Sequence, residues 1–204
     1  MVVTMSIRPI IHEISYNSQR DNYNFSGKFS AWSQCFSTCS WMFMSYYSSL
    51  YDGSDDKGLR YYVDNVEATV GKKGIGEKVR KKFSWIAGRT SLWWLTQKDG
   101  IEHYLWTSGV KGQVVFVEDR KKSLDHLKLK VQNGPVILGT KKIGGLPGGH
   151  IILLVGVSEK GFYVNDPFGN ATKNYKDHDG DTILYPFEYI EKYLGNVLRY
   201  IYWV

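Results

Sequence analysis

Cysteine is nearly absent from this chain: its 204 residues hold two, Cys35 and Cys39. Two cysteines cannot build a disulfide framework, which fits synthesis in a reducing compartment. Long apolar runs are missing too, and none approaches the ~20 residues of a membrane span. The N-terminus, MVVTMSIRPIIHEIS, lacks a basic segment followed by an apolar stretch, so no secretory signal is expected. There is no internal repeat and no low-complexity linker. The histidines at 12, 103, 126, 150 and 178 lack the paired spacing of zinc ligands. GKKGIG (71–76) has neither a preceding strand nor the Lys-Ser/Thr ending of a phosphate loop. No metal and no cofactor are expected.

The composition is that of a globular protein, with 43% hydrophobic against 23% charged residues. The length suits one domain spanning 1–204. Formal net charge is +6, with basic clusters at GKKGIGEKVRKK (71–82) and DRKK (119–122). Such a surface attracts polyanions, whether nucleic acid, anionic membrane or acidic cell wall. The plainer reading is a solvated face that aids solubility.

The first part of the chain predicts a short strand, PIIHEISY (9–16), and then a polar loop. From Cys35 to Leu50 there is no glycine or proline, and Phe36, Cys39, Met42, Phe43, Tyr46, Tyr47 and Leu50 recur at three- and four-residue steps. That spacing predicts a helix with one buried stripe. DGSDDKG (52–58) ends it, and helices are expected at 58–69, at 76–86 and in SLWWLTQKDGIEHYLWTSG, stopping at Gly109. The second half changes character. Strands are predicted at 113–118, 135–140, 149–158 and 161–167, with a final one in VLRYIYWV (197–204). Helices are predicted at 123–134, capped by Ser123, and in FEYIEKYLG (187–195). Helices first and an antiparallel sheet second make an α+β layout.

SAWSQCFSTCSWMFM (30–44) carries both thiols one helical turn apart. Helical i,i+4 pairs rarely meet disulfide geometry, and zinc would need two further ligands. A nucleophile needs a general base, an orienting group and oxyanion donors. Cys35 opens its helix, where free N–H groups and the dipole favour a thiolate. Cys39 falls one turn in, as a buried thiol would. His150 opens the apolar run GGHIILLVGV after two glycines, and Asp166 ends YVNDPFG; a hairpin joins the two strands, so its open end can make them neighbours. The carboxylate would fix the imidazole tautomer and leave the other ring nitrogen for the thiol. Each motif alone is weak, and a lone histidine at a strand start is more often an ordinary structural one. Three such signals in the order Cys, His, Asp, each at an element end, point together to a site.

Other patterns compete. DHDGDTILYPFE (177–188) sets Asp177, Asp179, Asp181 and Glu188 at calcium-loop spacing, yet Thr182 stands where glycine is needed, so a polar loop is expected. Trp85, Trp93 and Trp94 flank the basic stretch and could stack on bases or sugars, or simply pack in a core. His178 is a rival base in an acidic loop.

Three segments resemble the stand-alone relatives of the bacteriocin-leader-processing peptidases, a branch of the papain-like cysteine peptidases. They are YNSQRDN (16–22), QCFSTCSWMFMSYY (34–47) and GPVILGTKKIGGLPGGHIILLVGVSEKGFYVNDPFGN (134–170). The resemblance implies a papain-like fold, with a helical lobe over about 30–110 and a sheet lobe over about 111–204. It implies Cys35 as nucleophile, His150 as general base and acid, Asp166 as orienting carboxylate and Gln19 as side-chain oxyanion donor, with Gln34 second. Phe36 and Trp41 stand where the family commonly has smaller residues, so Phe36 is expected to shape or crowd the cleft. The expected activity is hydrolysis of a peptide or amide bond. With the basic charge, the expected substrate is a peptidoglycan stem peptide, and the expected setting a phage endolysin or virion-associated lysin. The expected form is a monomer, cytoplasmic at synthesis and acting at the cell wall or within a virion. The alternatives are a processing protease or effector toxin, and an inactive basic module that binds nucleic acid or glycan.

Overall fold

The run HIILLVGV has apolar side chains at nearly every position, which only a strand covered on both faces can bury. A computed structural model describes residues 8–20, 34–48 and 91–204, and this run is a central strand in it. The helices expected at 58–69 and 76–86, the break at 52–58, the basic stretch 71–82, Trp85 and the Trp93 side chain lie outside the described residues.

The strands are β1 (Ile10–Ile11), β2 (Val114–Asp119), β3 (Val136–Lys141), β4 (Gly149–Val157), β5 (Gly161–Asn165), β6 (Ile183–Pro186) and β7 (Leu198–Trp203). They form one antiparallel sheet in the order β2-β7-β3-β4-β5-β6, and β1 pairs with the far end of β4. The helices are α1 (Cys35–Tyr47), α2 (Ser91–Thr107), α3 (Leu124–Asn133) and α4 (Phe187–Lys192). α1 and α2 precede strands β2–β7, while α3 and α4 lie between strands, so the fold is the expected α+β arrangement.

Strand alternation sorts the core into two layers. Ile137, Ile151, Leu153, Val155 and Ile201 turn toward α1 and α2, meeting Met42, Phe43, Ile101 and Leu105. Val136, Leu138, Ile152, Leu154 and Tyr200 turn the other way, onto Leu127 and Val131 of α3 and Ile190 of α4. Ser123 caps α3 by accepting from the His126 backbone N–H, as its position in the sequence predicts. The helix over 91–107 ends as expected, with Gly109 at φ +82°.

Two expectations need correction. The strand predicted over 9–16 pairs only at Ile10 and Ile11, opposite Val157 and Gly156. β3 already occupies that edge of β4 as far as Leu154, so little strand is left to pair with. Beyond Ile11 one more backbone bond reaches β4, from the His12 N–H to the Val155 carbonyl at 2.7 Å, and the His12 side chain adds a bond from Nε2 to the Val131 carbonyl at 2.7 Å. Within the polar stretch 177–188, Ile183–Pro186 is a strand. Its four residues are too short and too close to acidic neighbours for periodicity to reveal them. Its proline falls on the outer strand of the sheet, where an absent N–H costs little.

Candidate functional site

Cys35 is the first residue of α1, and its side chain is only partly buried. Its backbone N–H is therefore among those an α-helix leaves without an intrahelical acceptor. Four residues on, Cys39 is fully buried and its thiol donates to the Ile151 carbonyl at 3.4 Å. Burial pushes that thiol's pKa well up, and Cys35 and Asp166 add to the effect. One turn of helix thus separates an accessible sulfur from an inert one. Phe36 is buried in the core, edge-on to Trp94 with centroids 5.6 Å apart, and Trp41 is buried as well. Trp94 in turn stacks on Phe116, at an interplanar angle of 15°, so it belongs to the core rather than to a surface for bases or sugars.

His150 and Asp166 meet at the open end of the β4–β5 hairpin. His150 Nε2 donates to Asp166 Oδ1 at 2.7 Å, and both side chains are buried. Cys35 lies close enough to the same imidazole to raise its pKa. Nε2 is taken by Asp166, which leaves Nδ1 as the ring nitrogen open to the thiol. Burial alone would lower the His150 pKa. The Asp166 carboxylate and Cys35 outweigh it and push the value up to about 10. The ring is set in place by neighbours: Phe168 and Tyr175 pack edge-on against it at 6.2 and 5.9 Å. Opposite it across β3, Thr140 Oγ1 donates to the His150 carbonyl.

Gln19 is buried, and its backbone N–H donates to the Pro167 carbonyl at 2.8 Å, next to Asp166. The bond is one of three. Tyr16 Oη donates to the Asp166 carbonyl at 2.9 Å, and Arg20 Nε to the Phe168 carbonyl at 2.7 Å. The N-terminal segment therefore holds the three consecutive carbonyls 166–168. Gln34 is buried at the N-cap of α1, where its carbonyl accepts from Thr38 N–H and its side chain makes no cap.

The residues the sequence did not single out are Tyr175 and Tyr185, whose hydroxyls donate to Asp166 Oδ2, and Arg20, whose guanidinium lies 3.9 Å over the Phe168 ring. No local motif announces them. Tyr185 reaches the carboxylate only because β6 pairs with β5. His178, the rival base, accepts from Arg20 Nη1 at 2.9 Å and is tied to that cluster. In the acidic loop Asp177 and Asp179 accept backbone N–H groups two residues ahead, so they act as turn formers. Among the described residues, no three His, Cys, Asp or Glu side chains gather as a metal site, and no helix is long and apolar enough to cross a membrane.

Gly180 closes the loop over Asp166. The Asp166 N–H donates to its carbonyl, and a Cβ there would collide with the Asp166 carbonyl oxygen and stand 2.6 Å from Tyr16 Oη. Gly180→Ala is expected to destabilise the fold by ~1–3 kcal/mol, as overpacking does, and to slow any reaction that depends on Asp166. Urea denaturation and activity on one preparation check both.

The profile of the Peptidase_C39 like family matches residues 11–194. No curated protein matches the chain. A crystal structure from Bacillus anthracis, described as that of a C39-like peptidase, is similar over 53% of this chain and 57% of that one, at 18% identity and a TM-score of 0.38. The chain thus spans a little over half the length of that relative.

Proposed function

This chain belongs to the Peptidase_C39 like family, a relative of the papain-like cysteine peptidases, and we propose that it hydrolyses a peptide or amide bond with Cys35 as nucleophile. The observation that carries the proposal is the buried contact of His150 with Asp166, 2.7 Å long, beside a partly exposed Cys35 at a helix start. In this reading the Cys35 proton passes to His150 Nδ1. An imidazole whose pKa is raised to about 10 keeps that proton at neutral pH, ready for a leaving group. The sulfur attacks the carbonyl carbon, and the carbonyl oxygen becomes an oxyanion. The Cys35 N–H and the Gln19 side chain are its proposed donors. Collapse breaks the C–N bond, and the amine leaves with the proton from Nδ1. Water, deprotonated by the same nitrogen, then attacks the thioester and releases the acid and the thiol.

The substrate proposed is a peptidoglycan stem peptide, as for a lysin of phage or virion-associated type. Its support is the net charge of +6, which favours the anionic polymers of a cell wall. The corresponding organisation is one domain, acting as a monomer at the wall. Digestion of purified peptidoglycan alongside a peptide library, with products read by mass spectrometry, tests this. Release of new amino termini from peptidoglycan is expected; cleavage confined to protein-derived peptides would redirect the proposal to a processing protease.

The nucleophile has its own test. At neutral pH iodoacetamide is expected to modify Cys35 at least ~10-fold faster than Cys39, because the thiolate reacts and burial keeps Cys39 protonated. Peptide mapping over a time course measures both rates in one sample. Equal slow rates would remove Cys35 as nucleophile.

A further inference from the structure

Asp166 is fully buried, yet donors fill the space around its carboxylate. Oδ1 accepts from His150 Nε2 at 2.7 Å and from the Phe168 N–H at 3.0 Å. Oδ2 accepts from Tyr185 Oη at 2.9 Å and from Tyr175 Oη at 3.2 Å. An ionised carboxylate offers about four lone-pair sites, so the set is complete.

The direction of the Tyr185 bond is fixed by a third group. The Ala171 N–H donates to the Tyr185 oxygen at 2.8 Å, which leaves the phenol proton to point onward. Asp166 Oδ2 at 2.9 Å is a closer acceptor than the Gly169 carbonyl at 3.4 Å. Tyr175 reaches the same oxygen from a strained backbone. Its φ is +58°, directly after Asn174 at +52°. An aromatic residue in the left-handed region is rare, and it persists only where the surroundings hold it. Here its ring packs on Phe168, centroids 5.0 Å apart, and on His150. Burial first, and then Asp166, push both phenols far above their ordinary pKa, so they remain donors throughout the working pH range.

We propose that Tyr185 and Tyr175 are positioning residues for the Cys35–His150 pair. Through Asp166 Oδ2 they hold the carboxylate's orientation and disperse its charge, and so set the pH range in which His150 keeps the proton taken from Cys35. The physics is direct: every hydrogen bond donated to Oδ2 makes the carboxylate a weaker acceptor at Oδ1, and a weaker acceptor holds the imidazolium proton less tightly. The other ionisable groups around the pair are Cys35 and Cys39 from α1, Tyr16 from the N-terminal segment and Tyr189 from α4, with Arg20 at the Phe168 carbonyl. Conversion of either tyrosine to phenylalanine leaves all of these in place and removes one donor.

The inference rests on the proposed function, and the experiment separates the two. The full chain, as wild type, Tyr185→Phe and Tyr175→Phe, is labelled with 13C-histidine. His150 is titrated by its ring chemical shift, with circular dichroism to confirm folding. In Tyr185→Phe, His150 is expected to lose its proton at a pH higher by roughly half a unit to one unit. In Tyr175→Phe, whose bond is longer, a smaller shift of the same sign is expected. A folded pair of variants with unchanged or lowered His150 titration overturns the inference and leaves the proposed function standing. If Tyr185→Phe does not fold, Tyr175→Phe decides alone. A wild type in which His150 titrates like a free histidine, and Cys35 alkylates no faster than Cys39, overturns both.

Discussion

Cys35→Ala and His150→Ala each leave a folded protein whose peptide or amide hydrolysis is lower by ~10³-fold or more. The size follows from what each change removes. Without the sulfur there is no covalent intermediate, and without the imidazole nothing takes the thiol proton or returns it to the leaving amine. The pair acts as a unit, so the double variant is expected to lose little more than either single one. Folding survives at Cys35 because its side chain is only partly buried and begins a helix that alanine favours. His150→Ala removes one member of the buried pair with Asp166 and so costs stability too. However, the Phe168 N–H and the Tyr175 and Tyr185 hydroxyls still satisfy the carboxylate, and the change falls at the end of β4. Activity on a cleaved substrate, once peptidoglycan or peptide digestion has supplied one, gives the rates; circular dichroism confirms the fold. Hydrolysis retained by Cys35→Ala would sink the assignment.

Asp166 presents a different balance, since it serves the fold and the site together. Asp166→Ala strips the partner from a buried imidazole, from two buried phenols and from the Phe168 N–H. A loss of ~3–5 kcal/mol is expected, as when one member of a buried charged pair is removed. Asp166→Asn keeps an oxygen for His150 and Phe168 and offers its amide to the tyrosine oxygens, so the fold is expected to survive. What it loses is the charge. The wild-type imidazole, with a folded pKa near 10 against 6.5 for a free one, adds stability that is complete below the unfolded pKa and fades as pH rises toward 10. In Asp166→Asn that decline is expected to flatten. Activity at neutral pH should fall as well, because the imidazolium gives up its proton too early. Urea midpoints at a series of pH values read the first effect and initial rates the second.

Much of the sheet half was legible because its signals are local. Ser123 before an amphipathic run, Gly109 after one, and the doubly buried strand 149–157 each state their structure within ten residues. The helix of Cys35 was legible for the same reason. Phe36 was not: the sequence shows a bulky neighbour of the sulfur but not its direction. Helix geometry turns it one position around the axis from Cys35, onto Trp94. Tyr175 and Tyr185 were hidden by distance. The acidic residues around them suggested a loop, and only the pairing of β5 with β6 brings that stretch back over Asp166. β1 was overread because periodicity cannot tell that the edge it would join is already occupied.

The hold of residues 16–20 on the carbonyls of 166–168 also has a consequence in time. During synthesis the N-terminal segment and the cysteine helix emerge first, but their partners are about 150 residues away. Closing so long a loop comes late and slowly. His150, Asp166 and Tyr185 must all have left the ribosome before the cluster can assemble, so a partly made chain carries the sulfur without the groups that would arm it.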